Sequence, residues 1–309
     1  MNYGMPYKGS KSRIAEAIIS HLPPAKHFYD VFGGGGAMAH CAALSGKYQI
    51  IHYNEPNPLI CHGFRMAVAG QFRSEDRWIS REDFARLKST DPYVAICWSF
   101  GNDLDSYLYS REREPLKRAL HHAIVWDDWG LFAERWPQLL PEGQDTVRGV
   151  TDRKQRRLAI MRLVKSVIGR VSEMENLQSL QSLQSLERLQ SLERLERPER
   201  LERLERLEIT SASYADLKFE RDAVIYCDPP YEGTTCDQYG CPDFDFRRFW
   251  HWARRQKRIY VSDTVPKEGM AVIWDKSLWS KVSGTNNAPR RELLMIPEPR
   301  GGIQWEIQF

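Results

Sequence analysis

Several things are scarce in this 309-residue chain, and each scarcity excludes something. No apolar run approaches the roughly 20 residues needed to span a bilayer, and the start, "MNYGMPYKGSKSRIAEAII", lacks the apolar core and small-residue cleavage site of a secretory signal. The expectation is a soluble, cytoplasmic protein with no membrane partner. Six cysteines, Cys41, Cys61, Cys97, Cys227, Cys236 and Cys241, fall without framework spacing, which suits reduced thiols. Cys236 and Cys241 are close together but lack the two further ligands a zinc site needs, so no metal is expected. An excess of charge of one sign is missing too, with a net of only +3. The charge is instead local: residues 152–170 hold seven basic residues and one acidic, and residues 247–258 hold six basic and none acidic. Such runs neutralise phosphates or simply solvate a helix face. The glycines lack the G-x-G-x-x-G spacing and no G-K-[ST] follows them, which argues against dinucleotide and nucleoside triphosphate binding.

What is present is an α/β pattern in the outer thirds of the chain. "KSRIAEAIISHL" is amphipathic, "HFYDVF" reads as a strand, "GGGGAMAHCAAL" as a turn into a helix and "YQIIHYNEP" as the next strand, together a βαβ unit. After residue 208 the alternation resumes with "LEIT", "AVIYC", the helix "FRRFWHWARRQ", and the strands "RIYVSD", "AVIWD", "RELLMIP" and "IQWEIQF". The two outer thirds are therefore expected to build one sheet. Residues 66–176 read as a helical insertion rich in aromatics and charge, with "WISREDFARLKS", "YVAICWSFGNDLDSYLYS", "EPLKRALHHAIVWDDW" and "RKQRRLAIMRLVKSVIG" as its pieces.

Between 177 and 207, leucine fills ten of eleven positions at a period of three, with Pro198 in the remaining one. In an α-helix each triplet falls about 60° short of a turn, so the leucines would spiral round the surface, and an interior proline would break the helix. A compact solenoid-like spiral with leucines inward is favoured over an α-helix, with disorder the third possibility. Spacing, self-association or a protein-partner surface is the role expected of it.

The stretch "AVIYCDPPYEGTT" carries the strongest chemical signal. Pro229 and Pro230 must end the strand that precedes them, which leaves Asp228 at its carboxyl end beside Tyr231. In open α/β sheets that edge is where ligands bind. Asp30 and Phe32 end the first strand, Gly33 to Gly36 form the turn before a helix, and Glu55 ends the second strand, where an acid commonly meets ribose hydroxyls.

"YKGSK" (7–11), "DVFGGGGA" (30–37), "NEPN" (54–57) and "DPPY" (228–231), in this order and with a helical insertion before the last, resemble the Dam-type N6-adenine DNA methyltransferases. The resemblance covers about residues 1–65 and 207–309. It implies a seven-stranded Rossmann-like sheet formed by 1–65 and 208–309, S-adenosylmethionine as cofactor, double-stranded DNA as substrate and 66–176 as the target-recognition insertion. By position, Tyr7 and Lys11 would meet the methionine end of the cofactor. Asp30, Phe32, Gly33, Gly34 and Gly35 would cradle its body, and Glu55 would hold the ribose. Tyr214 would face the adenine, although Ser213 stands where the family carries an aspartate and Asp216 lies three positions on. Asp228 and the Pro229 carbonyl would accept the two hydrogens of the target amine, Pro230 would stiffen the turn and Tyr231 would stack on a flipped base. "CWSFGNDLDSYLYS" is similar to a segment of phage-associated members, with Asn102 and Tyr107 as candidate DNA readers, while Trp98, Phe100 and Tyr107 are equally explained as core. Arg153, Arg156, Arg157 and Lys165 are candidate phosphate contacts. Methylation of cytosine N4 or of an RNA adenine, and a non-catalytic DNA-binding or scaffold role on the same fold, remain the alternatives.

Overall fold

In a computed structural model of the chain, the described residues are 3–137, 150–171, 206–232, 244–278 and 290–299. They fall into two compact units, one drawn from Met1–Arg73, Leu87–Ser106 and Arg197–Phe309, the other from Ser74–Arg86 and Tyr107–Glu196. Residues 87–106, read with the helical insertion in sequence, thus group with the sheet. The leucine triplets before Leu207, Cys236, Cys241 and "IQWEIQF" lie outside the described residues.

The first unit is α/β. Its strands are β1 (Ala25–Asp30), β2 (Tyr48–Asn54), β3 (Leu207–Thr210), β4 (Val224–Cys227), β5 (Ile259–Asp263), β6 (Met270–Leu278) and β7 (Arg290–Pro297). They form one seven-stranded mixed sheet in the order β3-β2-β1-β4-β5-β7-β6. The pairs from β3 through β5 are parallel, and β7 runs antiparallel to both of its neighbours. Such an arrangement is compatible with a Rossmann-like fold. From β1 the chain goes to β2 on one side, and from β4 to β5 on the other, so the switch point lies between β1 and β4, where a crevice opens at the carboxyl ends.

The helices are α1 (Ala15–Ser20), α2 (Ala37–Leu44), α3 (Pro58–Val68), α4 (Arg81–Leu87), α5 (Pro92–Cys97), α6 (Glu114–His121), α7 (Gly130–Arg135), α8 (Arg153–Val171) and α9 (Phe246–Ala253). Local chemistry sets several of their starts. Asn57 accepts from the Leu59 amide and Pro58 follows it; Asp91 accepts from the Tyr93 and Val94 amides and Pro92 follows it; Asp245 accepts from the Arg248 amide. On one face of the sheet Tyr214, Phe249, Trp250, Val261, Leu293 and Met295 form a buried cluster. Elsewhere in the unit Phe64 of α3 stacks on Tyr53 of β2, with centroids 3.9 Å apart.

The helix expected across "YVAICWSFGNDLDSYLYS" ends at Cys97. The Asn102 amide donates to the Ile96 carbonyl, and Gly101, Asn102 and Leu104 all adopt positive φ, which turns the chain into a tight loop instead of a further helical turn. The second unit packs α6, α7 and α8 around Leu116, Leu120, Ile124, Trp129, Phe132, Trp136 and Ile160. Among the described residues no helix is long and apolar enough to cross a membrane.

Candidate active site

The carboxyl ends of β1, β2 and β4 border a cleft of about 810 Å³, measured out to its open mouth. Tyr7, Lys8, Lys11, Asp30, Phe32, Gly33, Gly34, Gly35, Glu55, Asp228, Pro229, Pro230, Tyr231 and Glu292 are among the residues that line it. Backbone bonds tie the strand ends together: the Val31 amide donates to the Tyr226 carbonyl and the Gly33 amide to the Asn54 carbonyl. The parallel register sets Asp30 beside Tyr226, and two residues further along β4's path the chain reaches Asp228.

The glycine turn is shaped by its packing. Gly34 has φ +50°, and a Cβ on it would lie 2.7 Å from the Tyr7 ring; one on Gly33 would lie 2.2 Å from the Tyr53 ring. The absent side chains therefore let two tyrosines close over the turn, as well as bringing backbone to the cleft. Glu55 is buried and accepts from the Gly34 amide at 2.8 Å and the Asn57 amide at 2.9 Å, so this acid holds the turn in place. Burial raises its carboxyl to about 7 against the pull of those two amides. Asp30 accepts from the Ala39 amide in the first turns of α2 at 3.0 Å. Burial raises its carboxyl to about 8, with the Ala39 amide opposing, Asp228 and Glu55 adding to the rise, and Lys11 opposing it.

Lys11 is the buried cation of the cleft. Its Nζ lies 2.7 Å from Asp228 Oδ2 and 3.8 Å from Glu292 Oε2. It also sits 5.1 Å from the centre of the Tyr231 ring. The Tyr231 hydroxyl is 3.0 Å from both Asp228 Oδ1 and Glu292 Oε2. Burial and the two carboxylates push this phenol well above its ordinary value, so it stays a donor. Tyr231 is only 7% exposed, so its ring is a wall of the site and not an open platform.

One of the expected site residues is placed away from the cleft lining. Tyr214 is buried among Phe249, Trp252, Phe244 and Phe32, one ring behind the cleft wall that Phe32 forms, and is not among the cleft's lining residues. Ser213 is exposed, with its hydroxyl toward the Ala215 amide. Glu292, Lys8 and Met38 line the cleft without having been singled out in sequence. The sequence carried little signal for Glu292, which follows Arg290 and Arg291 at the start of the apolar run "LLMIP" and reads there as a surface charge.

No protein-family model matches this chain, and neither does any curated protein.

The candidate nucleic-acid contacts sort by exposure. Asn102 spends its amide on the Ile96 carbonyl. In the second unit the Tyr107 hydroxyl donates to the Ile79 carbonyl, with Arg81 over its ring. Trp98 is buried, whereas Phe100 is 65% exposed. Phe100 leads a loop pinned by its own amide to the Ser106 carbonyl, by Asp103 accepting from the Asp105 and Ser106 amides, and by Lys88 on Asp105. Arg153 is exposed, 3.6 Å from Asp76. Arg156 is buried, donating to the Thr151 carbonyl with Asp127 3.6 Å away, and Arg157 is half-buried. Lys165 belongs to α8, and its side chain lies outside the described residues.

Proposed function

We propose that this protein is a methyltransferase that uses S-adenosylmethionine to methylate the N6 amine of adenine in DNA. The observation that carries this reading is the closure of Asp228, Pro229, Pro230 and Tyr231 onto the same cleft as Lys11, Asp30, the glycine turn and Glu55, at the switch point of a seven-stranded sheet. These motifs come from opposite ends of the chain and meet only through the fold.

The residues present fit the cofactor. Asp30 and Glu55, whose carboxyls burial holds largely protonated near neutral pH, line the cleft with hydrogen-bonding oxygens and not with a surplus of charge, and among the described residues its cations are Lys8 and Lys11. Phe32, Met38 and Tyr7 add apolar wall for a ribonucleoside. Lys11 and the backbone around Tyr7 would hold the amino-acid end, and Glu55 and the turn it fixes the ribose. When bound, the cofactor supplies an electrophilic methyl group on a positively charged sulfur.

The chain's own work is on the amine. An exocyclic adenine nitrogen is a poor nucleophile because its lone pair is delocalised into the ring. Asp228 accepts one amine hydrogen and the Pro229 carbonyl the other, which draws the nitrogen toward tetrahedral geometry and frees the lone pair. Pro229 and Pro230 stand outside the sheet ladder and fix the direction of that carbonyl. Asp228, half-buried at the mouth of β4, also takes up the departing proton, directly or through water. Exposed Phe100 and Arg153 are the side chains best presented for duplex contacts.

The test is transfer of labelled methyl from S-adenosylmethionine to unmethylated genomic DNA, followed by nucleoside analysis. N6-methyladenine is the expected product, and Asp228→Ala is expected to lower the rate by about 10³-fold or more while leaving S-adenosylhomocysteine binding within a few-fold. N4-methylcytosine or methylated RNA would move the substrate. Cofactor binding with no product on any nucleic acid would move the protein to a binding role.

A further inference from the structure

The acceptor that the proposed chemistry needs is already engaged. Asp228 Oδ2 carries the Lys11 ammonium at 2.7 Å, and Asp228 Oδ1 faces the Tyr231 hydroxyl at 3.0 Å. A carboxylate held by an ammonium on one oxygen and a phenol on the other pulls weakly on an amine hydrogen, because its charge is spent on charge-assisted bonds. Each Asp228 oxygen keeps a second lone pair, but the carboxylate pulls strongly on an amine hydrogen only if those two donors move to another acceptor, and Lys11, with three N–H groups, needs one even while it meets the cofactor's amino-acid end.

The structure supplies one such acceptor. Glu292 is 6% exposed and comes from β7, the antiparallel strand inserted between β5 and β6. Its Oε2 lies 3.0 Å from the Tyr231 hydroxyl, the same distance as Asp228 Oδ1. A phenol has one hydrogen, so Tyr231 donates to one carboxylate at a time and is poised evenly between them. The same Oε2 is 3.8 Å from Lys11 Nζ, about 1 Å beyond a hydrogen bond. Lysine carries its charge on a flexible four-carbon stem, so a shift of that size needs no backbone movement. The Tyr231 ring, 5.1 Å from the ammonium, keeps it over the same path.

We propose that Glu292 is a positioning residue: it takes Lys11 and the Tyr231 hydrogen bond from Asp228 when an amine enters the cleft, leaving Asp228 free to accept from that amine. The handover moves no proton and changes no net charge within the group of four. It rests on the methyltransferase reading for its purpose, while the exchange of partners itself is a property of this cluster. It also gives β7 a role in the site: Asp30 of β1 lines the same cleft, but burial holds its carboxyl protonated up to about 8, so Glu292 of β7 is the acceptor placed beside both Lys11 and Tyr231.

Two measurements separate the exchange from its purpose. The first is a crystal structure of Asp228→Asn, which removes the charge that holds Lys11. Lys11 Nζ is expected to move within about 3 Å of Glu292, with the Tyr231 hydroxyl on the same carboxylate; Lys11 remaining at residue 228, or leaving the cleft, overturns the handover whether or not the protein methylates anything. The second is Glu292→Gln, which keeps an acceptor for Tyr231 but none with charge for Lys11. Single-turnover methyl transfer is expected to slow by about 10²-fold, with S-adenosylhomocysteine binding unchanged by calorimetry and the folding midpoint in urea preserved. An unaltered rate in Glu292→Gln beside an active wild type overturns the positioning role and leaves the methyltransferase reading standing. An inactive wild type overturns that reading, and the Asp228→Asn structure still decides the exchange.

Discussion

The cleft of the sheet unit and the core of the helical unit both bury ionisable groups, and burial shifts them in opposite directions. In the cleft the shifted groups are acids: Asp30 is raised to about 8 and Glu55 to about 7, in both cases chiefly by burial. In the helical unit the contrast is carried by two bases: burial lowers Lys117 to about 8, with Arg113 adding to the effect, and lowers His121 to about 4 against the Asp76 carbonyl, while the Tyr107 phenol of that unit is pushed up by burial like the cleft acids. The physics is the same, since loss of water disfavours whichever form is charged. The consequences differ. The cleft acids are fixed by backbone amides and by Lys11, and they present acceptors to a ligand. The buried bases of the helical unit are part of its packing, whereas Arg153 of the same unit stays at the surface.

The contrast breaks most sharply along pH. Native Asp30 holds its proton above its ordinary 3.8, so between about pH 4 and 8 this group binds more proton in the folded chain than in the unfolded one and its contribution to stability falls as pH rises, while His121 has the opposite sign between about pH 4 and 6.5. The slope from one such group reaches about 1.4 kcal/mol per pH unit. Asp30→Asn is expected to flatten that fall, read as urea midpoints at pH 5 and pH 8; parallel curves for variant and wild type would show that Asp30 ionises freely. Lys117 has the opposite sign. Its native value lies below its ordinary 10.5, so its contribution to stability rises between about pH 8 and 10.5. Lys117→Met is expected to stabilise the helical unit by about 1–3 kcal/mol at pH 7 and to lose that advantage near pH 10.5, followed by hydrogen exchange in α6.

A second test concerns what the cleft acids hold. Glu55→Ala leaves the Gly34 and Asn57 amides without their acceptor, at about 1–3 kcal/mol each. Urea unfolding should show that loss together with weakened S-adenosylhomocysteine binding. Intact stability would mean that the turn is held by its glycines and tyrosines alone. The smallest effect separates two arginines of one basic run. Arg153→Ala should weaken duplex DNA binding a few-fold and reduce the salt slope by about 1. Arg156→Ala should instead lower stability with the slope unchanged, because its guanidinium is buried beside Thr151 and Asp127.

Much of the cleft was legible because its residues sit at strand ends marked by breakers. Asp228 precedes two prolines, Asp30 precedes a glycine run, and Glu55 precedes Pro56, so each had to stand where a strand stops. The packing of Tyr214 was not legible because an aromatic after β3 can face the cleft or the core, and Phe249 and Trp252 lie against it. The basic run at 152–170 looked uniform because period alone does not tell which arginines turn inward when leucines and isoleucines are interspersed. The local bonds of Asn102 and Tyr107 were not legible because a polar group in a loop shows no partner in sequence; their side chains donate to the backbone carbonyls of Ile96 and Ile79.

The sequence by itself determined the α/β alternation, the strand-end placement of Asp30, Glu55 and Asp228, and the helix starts at Asn57, Asp91 and Asp245, because each depends on neighbours within a few residues. Tertiary structure alone decided the strand order, the insertion of β7 between β5 and β6, the sharing of Lys11 and Tyr231 between Asp228 and Glu292, and the burial of Arg156. Those features depend on pairings between distant parts of the chain, and local propensity carries no information about which distant carboxylate a buried lysine will meet.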